Sequence, residues 1–317
     1  MIGIAAGDHV MIEIDPTVDF ACKMLLGDPT HSGLTVHFLN AVLRPNSPIV
    51  QVEHLNPMVP TQYDSDKLAI LDILARDERG ARYNIEVQRT RHGGLRERLT
   101  WYAATQLGEQ IGKGDGYDLL EPSIGICILK GRLFPTSAEY HHQFRLRTQK
   151  GLELTDCLEI HTLELFKYQP PPDTMTVEEP LEQWMDFFCN ARGSTAENLK
   201  RRLPSPIFEE AIGILEMIDQ TPEQRRQYLA RLKWELDQNT NLRFSRAEGW
   251  KQGKAEGMAE GKAEGKAEAK AENIQLLQRI LGIPPLDLPS LMAMSLEELT
   301  ILNAELAARL EHQKPRT

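Results

Sequence analysis

The sequence lacks any apolar run of the length that a transmembrane helix needs. Residues 1–10 also lack a basic segment ahead of an apolar core, which is the pattern of a secretory signal peptide. With 41% hydrophobic and 26% charged residues, the 317-residue chain has an ordinary globular composition and enough length for substantial cores. We therefore expect a cytoplasmic protein that makes no membrane contact.

Metal-binding and redox motifs are scarce as well. The four cysteines are widely spaced and form no Cys-x-x-Cys pair, so reduced core thiols are expected. His141, His142 and His161 have no acid or cysteine at ligand spacing and are predicted to be surface residues rather than zinc ligands. The absence of Gly-x-Ser-x-Gly gives no support to a Ser-His-Asp triad.

Positive charge is in deficit, since 36 Lys and Arg face 46 Asp and Glu, for a formal net charge of −10. This balance argues against DNA binding through bulk electrostatics. The local balance differs in residues 89–98 and 130–150, where several basic residues face a single acid. These two segments are predicted either to form a basic rim for phosphates or to be ordinary solvated surface.

Two adjacent segments predict a β-hairpin. Lys67–Asp77 is an almost unbroken apolar run with Asp72 in its middle, which is typical of a strand covered on both faces. Arg82–Arg89 alternates, so Glu86 and Gln88 point to the same side of the sheet. The hairpin can therefore set Asp72 beside Glu86 at the end of a mostly apolar sheet.

Paired carboxylates in such a place need a cation. A bare carboxylate inside an apolar strand is costly unless it is protonated, paired or bound to a cation. Mg²⁺ takes one or two protein carboxylates and keeps waters for chemistry. Asp72 and Glu86 therefore predict either a metal site or ion pairs with nearby basic residues. The candidate basic partners are Lys67, Arg76, Arg82 and Arg89.

The order of an acid in one strand, a hairpin and Glu-x-Gln in the next resembles the PD-(D/E)XK nuclease superfamily. The wider sequence resembles its recombination-promoting nuclease, or putative transposase, branch over roughly residues 13–170. The segments that carry the resemblance are 15–23, 37–43, 52–57, 66–72 and 83–88.

The resemblance implies roles for particular residues. Asp72 and Glu86 become metal ligands, the Val87 carbonyl completes the shell, and Asp19 on the first helix can join it. Gln88 stands where the superfamily usually has lysine. Glutamine cannot supply a positive charge, but it can orient a water molecule or a phosphate oxygen.

The implied function is a DNA endonuclease of the recombination-promoting or transposase-associated type, which hydrolyses phosphodiester bonds with Mg²⁺ or Mn²⁺. Its predicted catalytic residues are Asp72, Glu86 and Gln88. The alternative is a catalytically degenerate DNA-binding or assembly protein that retains the nuclease fold. Gln88 and the acidic net charge favour this alternative.

A helix is predicted from Leu95 to about Ile111, and three of its side chains recur every four residues in a polar and aromatic stripe. This stripe is predicted either to face the scissile phosphate or to pair with surface acids. The residues predicted to contact DNA are Arg89, Arg91, Arg98, Tyr102 and Gln106.

The predicted fold is α/β, with a restriction-endonuclease-like mixed sheet core flanked by helices and a C-terminal all-helical extension. Asp15 is predicted to cap a first helix that runs to Leu26. The other predicted elements are a helix over 33–43 and strands over 48–56, 123–129, 143–147 and 158–166.

Four regions are predicted along the chain. They are a nuclease-like domain (11–168), a helical domain (175–247), a Gly-Lys-Ala-Glu repeat (248–272) and a helical hairpin (273–317). The repeat is predicted to be a marginal helix or flexible connector, or else a surface for self-association. A homo-oligomer would form through the repeat and the C-terminal helices, and a leucine stripe over 296–310 is expected to dock on a partner or on the helical domain.

Overall fold

Six strands form one mixed sheet in a computed structural model that describes residues 11–56, 73–89 and 93–313. The strands are β1 Val52–His54, β2 Ile73–Asp77, β3 Arg82–Gln88, β4 Ser123–Leu129, β5 His141–Arg147 and β6 Glu153–Glu164. Their order across the sheet is β1-β2-β3-β4-β6-β5. The β3–β4 and β4–β6 pairs are parallel and the other pairs are antiparallel.

The helices lie before, between and after these strands. They are α1 Asp19–Leu26, α2 Ser32–Leu43, α3 Leu95–Gly108, α4 Pro180–Asn190, α5 Ala196–Arg202, α6 Ile207–Gln220, α7 Pro222–Ile280, α8 Leu288–Met292 and α9 Leu296–Gln313. The mixed sheet with flanking helices and a helical C-terminal region confirms the predicted fold class.

Helix α1 begins later than predicted. The carboxylate of Asp15 accepts hydrogen bonds from the backbone N–H of Thr17 at 2.9 Å and from its hydroxyl at 2.5 Å. Asp15 therefore organises the turn that precedes α1 instead of capping this helix. The N-cap position is taken by Val18, whose side chain makes no cap hydrogen bond.

The sheet has a different hydrophobic core on each face. On one face, side chains of β2, β3 and β4 pack with α1, α2, α4 and α6 in one continuous cluster. Trp184 lies at its centre, with ring centroids 5.0 Å from Phe208 and 5.4 Å from Phe38. On the other face, Leu95 and Leu99 of α3 pack against β4. Helices α4–α6, which follow the proline-rich segment at 170–172, thus share a core with the sheet.

The chain divides into two compact units, one ending at Leu236 and one beginning at Asp237. In the second unit, Leu299 and Leu306 of α9 are buried against the C-terminal part of α7. The leucine stripe therefore docks in part within its own hairpin. Ser295 and Glu298 exchange hydrogen bonds at the start of α9 as a capping box. The Gly-Lys-Ala-Glu repeat lies inside α7 and is helical.

One histidine prediction was wrong. His161 is 1% exposed, because β6 has neighbours on both sides and carries this side chain inward. Its Nε2 donates to Glu159 at 2.7 Å, and its Nδ1 lies 2.8 Å from His141 Nε2.

Within the described ranges, none of the helices combines the length and the apolar character that crossing a bilayer requires.

Candidate active site

The predicted hairpin of β2 and β3 is present, and a single carboxylate organises its turn. Asp77 accepts hydrogen bonds from the backbone N–H groups of Arg79 at 2.9 Å and Ala81 at 3.0 Å. Between them, Gly80 has a φ of 94°, which L side chains rarely adopt. The turn fixes the antiparallel register in which Ile73 pairs with Ile85.

Glu86 and Gln88 lie on the sheet face that α3 covers. They stand in register with Cys127 and Leu129 of β4, which pack against Leu95 and Leu99 of α3. Both polar side chains are buried. The alternation of β3 therefore points Glu86 and Gln88 the same way, as the sequence predicts.

Arg98 bridges these two side chains. Its Nη2 donates hydrogen bonds to Oε1 of Glu86 and to Oε1 of Gln88. The guanidinium carbon lies 6.0 Å from the centre of the Tyr102 ring. Arg98 thus neutralises a carboxylate that would be costly to bury alone.

Arg98 was not among the basic partners predicted for Glu86. Two of the predicted partners pair with other carboxylates: Arg76 pairs with Glu53 at 2.6 Å, and Arg89 pairs with Asp15 and Glu235. The spacing of Arg98 along its helix identified a stripe, but spacing alone does not show which strand residues the stripe meets.

Gln106 lies near the opposite end of the strands from Glu86. Its side-chain oxygen accepts a hydrogen bond from the hydroxyl of Ser123 at 2.9 Å, and Ser123 is the first residue of β4. Eight helical residues separate Gln106 from Arg98, a rise of about 12 Å. Of the predicted stripe, the structure brings Arg98 to Glu86 and Gln88, and Tyr102 lies beside the Arg98 guanidinium.

A second charged cluster lies where β3 and β4 end. Oδ2 of Asp15 accepts from Lys130 Nζ at 2.6 Å and from Arg89 Nη2 at 3.2 Å. Arg89 Nη1 also donates to Glu235 of α7 at 2.9 Å. Burial raises the pKa of the Asp15 carboxyl, but hydrogen bonds from Lys130 and Thr17, with the nearby positive charges, outweigh it and hold this pKa below its usual value.

Asp19 belongs to the same cluster. Its carboxylate lies 3.6 Å from Lys23 Nζ and 3.3 Å from Arg231 Nε, and its backbone N–H donates to Glu235 at 3.4 Å. Burial raises the pKa values of Asp19 and Glu235, although the neighbouring cations oppose the shift. The metal-binding role of Asp19 stays a prediction.

The sequence did not predict that four further residues join this cluster, namely Asp15, Lys130, Arg231 and Glu235. Asp15 and Glu235 reach Arg89 across 74 and 146 positions of sequence. No local pattern marks such pairs, because periodicity reports only which face of an element is apolar.

The donor atoms near the end of β3 suit a hard divalent cation. The Glu86 carboxylate and the Gln88 amide offer oxygen ligands of the kind that Mg²⁺ prefers. In the described part of the chain, no group of three or more His, Cys, Asp or Glu is arranged to hold a metal ion. Glu86 is therefore one carboxylate of a predicted set that also includes Asp72 and Asp19. Asp72 lies outside the described residues, as does Arg91, which is predicted to contact DNA.

Comparison of the sequence with models of known protein families identifies the family of the chain. Residues 16–245 match the family model described as PD-(D/E)XK nuclease family transposase. The chain belongs to this family. The match covers more than half of the sequence and extends past residue 170, through α4–α6 and into α7.

The PD-(D/E)XK transposase assignment agrees with the fold and gives the substrate class in outline. The family implies a nuclease-like domain and a DNA substrate, and its superfamily generally uses divalent metal ions. No curated protein and no solved structure matches the chain.

Proposed function

We propose that this PD-(D/E)XK transposase is a DNA endonuclease that hydrolyses phosphodiester bonds with Mg²⁺ or Mn²⁺ and acts in recombination or transposition. The observation that carries the proposal is the buried Glu86 carboxylate, which shares one sheet face with Gln88 and lies next to the cationic Arg98. The cytoplasmic location stays a prediction.

Asp72 and Glu86 are the proposed metal ligands. The first residue pair of β2 and β3 is Ile73 with Ile85, and the residues next in the chain beyond this pair are Asp72 and Glu86. The Val87 carbonyl is proposed to complete the shell, with Asp19 as an additional carboxylate. When bound, Mg²⁺ supplies a Lewis acid and lowers the pKa of a water molecule.

Gln88 is proposed to position the reactants. Its amide can orient a water molecule or a phosphate oxygen through hydrogen bonds, but it cannot carry positive charge. In hydrolysis the water oxygen forms a bond to phosphorus and the bond to the leaving ester oxygen breaks. A proton of the water passes to solvent, and the leaving oxygen takes up a proton.

The proposed DNA contacts differ in how readily they can reach a phosphate. Arg98 lies beside Glu86 and has Tyr102 next to its guanidinium. Arg89 is held by Asp15 and Glu235 and must exchange a carboxylate for a phosphate. The roles of Gln106, at the far end of α3, and of Arg91 stay predictions.

The test is the nicking of supercoiled plasmid in Mg²⁺ or Mn²⁺. Glu86→Gln keeps the size of the side chain and removes its charge, so we expect a loss of at least about 100-fold in rate. Asp72→Asn should show the same loss, and EDTA should stop cleavage by the wild-type protein. Glu53→Gln is the control, because Glu53 is an exposed acid paired with Arg76. Wild-type rates in both Glu86→Gln and Asp72→Asn would refute the proposal.

The second candidate is a DNA-binding protein that has lost cleavage. Two observations favour it: Gln88 lacks the charge of lysine, and Arg98 already neutralises Glu86. This candidate predicts salt-dependent DNA binding without nicking by any variant. It also predicts that added Mn²⁺ leaves the melting temperature unchanged.

A further inference from the structure

Arg98 is anchored at one end of its guanidinium and has hydrogen-bond donors left over. Both of its hydrogen bonds, to Glu86 and to Gln88, use Nη2. Its side chain is 31% exposed, and its buried Nε has no hydrogen-bond partner among the residues that the structure describes. A guanidinium carries five N–H donors, so Arg98 can bind a further anion while it keeps its hydrogen bonds to Glu86 and Gln88.

Phosphodiester hydrolysis, the function proposed above, creates a need for such a group. Negative charge builds on the phosphate oxygens as the reaction proceeds, and positioned cations stabilise it. Glu86 and Gln88 cannot supply positive charge. A guanidinium can, and its planar fork matches the geometry of phosphate oxygens.

We infer that Arg98 is a catalytic residue, whose guanidinium binds the non-bridging oxygens of the scissile phosphate and stabilises their charge in the transition state. This inference rests on the proposed nuclease function. The role of Arg98 is electrostatic, and no bond to Arg98 forms or breaks.

Arg98 also competes with a divalent cation for the same carboxylate. Both are attracted to Glu86, so a bound metal ion weakens the hold of Glu86 on the guanidinium and favours its contact with the phosphate. Removing Arg98 should therefore leave metal affinity intact or increase it, while cleavage is lost. A residue that only holds Glu86 in place would show the opposite effect on metal affinity.

The experiment compares the wild-type protein with Arg98→Ala, Arg98→Lys and the double variant Gln88→Lys/Arg98→Ala. The initial rate of plasmid nicking in Mn²⁺ is measured against plasmid concentration, and Mn²⁺ affinity is measured separately from the shift in melting temperature. Arg243→Ala is the control, because it removes an exposed arginine of α7. Melting temperatures without metal verify that each variant folds.

We expect Arg98→Ala to lower kcat by about 100-fold or more, with a Mn²⁺-induced melting shift at least as large as that of the wild-type protein. Arg98→Lys should retain more activity than Arg98→Ala. Gln88→Lys/Arg98→Ala should regain part of the lost rate, because the lysine returns a positive charge to the end of β3. Arg243→Ala should cleave at the wild-type rate.

Three results would overturn the inference. Wild-type kcat in Arg98→Ala would show that Arg98 is dispensable while leaving the nuclease function in place. Joint loss of cleavage and of the Mn²⁺ shift in Arg98→Ala, without recovery in the double variant, would assign Arg98 a positioning role. Absence of cleavage by the wild-type protein would contradict both the nuclease function and the role of Arg98.

Discussion

At the scale of single residues, Arg202 shows how a buried charge is compensated by partners of opposite charge. Asp186 and Arg202 are both buried and lie 2.6 Å apart, and Arg202 Nε donates to the second oxygen of Asp186 at 3.1 Å. Arg202 also pairs at 3.1 Å with Asp173, whose side chain is 86% exposed. One arginine thus has a buried and an exposed carboxylate partner, and their contributions to stability can be compared directly.

Asp186→Ala should lower the free energy of unfolding by about 3–5 kcal/mol, because it leaves the Arg202 charge buried without its closest partner. Asp173→Ala removes the exposed partner of the same arginine and should cost less than about 1 kcal/mol. Urea unfolding followed by circular dichroism measures both values. Equal losses in the two variants would contradict the expectation that the buried Asp186–Arg202 pair stabilises the protein more than the exposed Asp173–Arg202 pair.

His141 should make stability depend on pH. Burial lowers the pKa of His141 to about 4, with help from the charges of His161, Arg44 and His142. The unfolded chain therefore binds a proton at this histidine near pH 6.5 and the folded chain does so only near pH 4. Its stabilising effect is complete above pH 6.5 and is lost as the pH falls towards 4.

His141→Gln should therefore reduce the fall in melting temperature between pH 7 and pH 4, since it removes the titrating group and keeps a polar side chain beside His161. His312 is an exposed histidine of α9, so His312→Gln is the matched control and should follow the wild-type curve. The melting temperatures of the three proteins are measured by circular dichroism between pH 7 and pH 4. Parallel curves for all three proteins would show that His141 does not titrate differently in the two states.

At the scale of elements, α7 reaches the end of β3 through one carboxylate. Glu235 accepts a hydrogen bond from Arg89, the residue that directly follows Gln88. A phosphate that binds Arg89 must replace this carboxylate. We therefore expect the contact to limit how much positive charge the end of β3 can offer at the proposed DNA site.

Glu235→Gln should strengthen DNA binding at low salt and make the logarithmic dependence of affinity on salt steeper by about 1, because it frees one basic residue for a phosphate. Glu248→Gln changes the net charge equally at an exposed position of α7 and is the control. Fluorescence anisotropy with a labelled duplex at several salt concentrations measures both slopes. If the two variants gain affinity equally, the effect is one of net charge alone.

The sequence predicted elements better than it predicted partners. The bounds of β4 and the direction of Glu86 and Gln88 on β3 followed from apolar runs and alternation, which depend on neighbours in the chain. The helix start at Asp15 was misplaced, because an acid before proline serves equally well in a short turn. The bond from Arg98 to Glu86 depends on how α3 crosses the sheet, and local spacing does not encode that crossing.

At the scale of the whole molecule, the first unit is organised around one core that combines sheet and helices. Trp184 of α4 packs against Phe38 of α2, and Phe208 of α6 packs against His37 of α2. The hydrophobic cluster around these rings extends to strands β2–β4. The family match likewise continues through these helices to residue 245. Helices α4–α6 are therefore part of what stabilises the sheet, while the division into four domains stays a prediction.

The four tryptophans differ so strongly in their surroundings that their fluorescence can distinguish different parts of the protein. Trp184 is fully buried, Trp234 lies 4.1 Å from the Arg231 guanidinium, and Trp101 and Trp250 are 69% and 70% exposed. Iodide should therefore quench the emission of the two exposed rings and spare that of Trp184. Because Trp101 follows Arg98 by three residues on α3, we expect its emission to change when unlabelled DNA binds at the proposed site of Glu86 and Gln88.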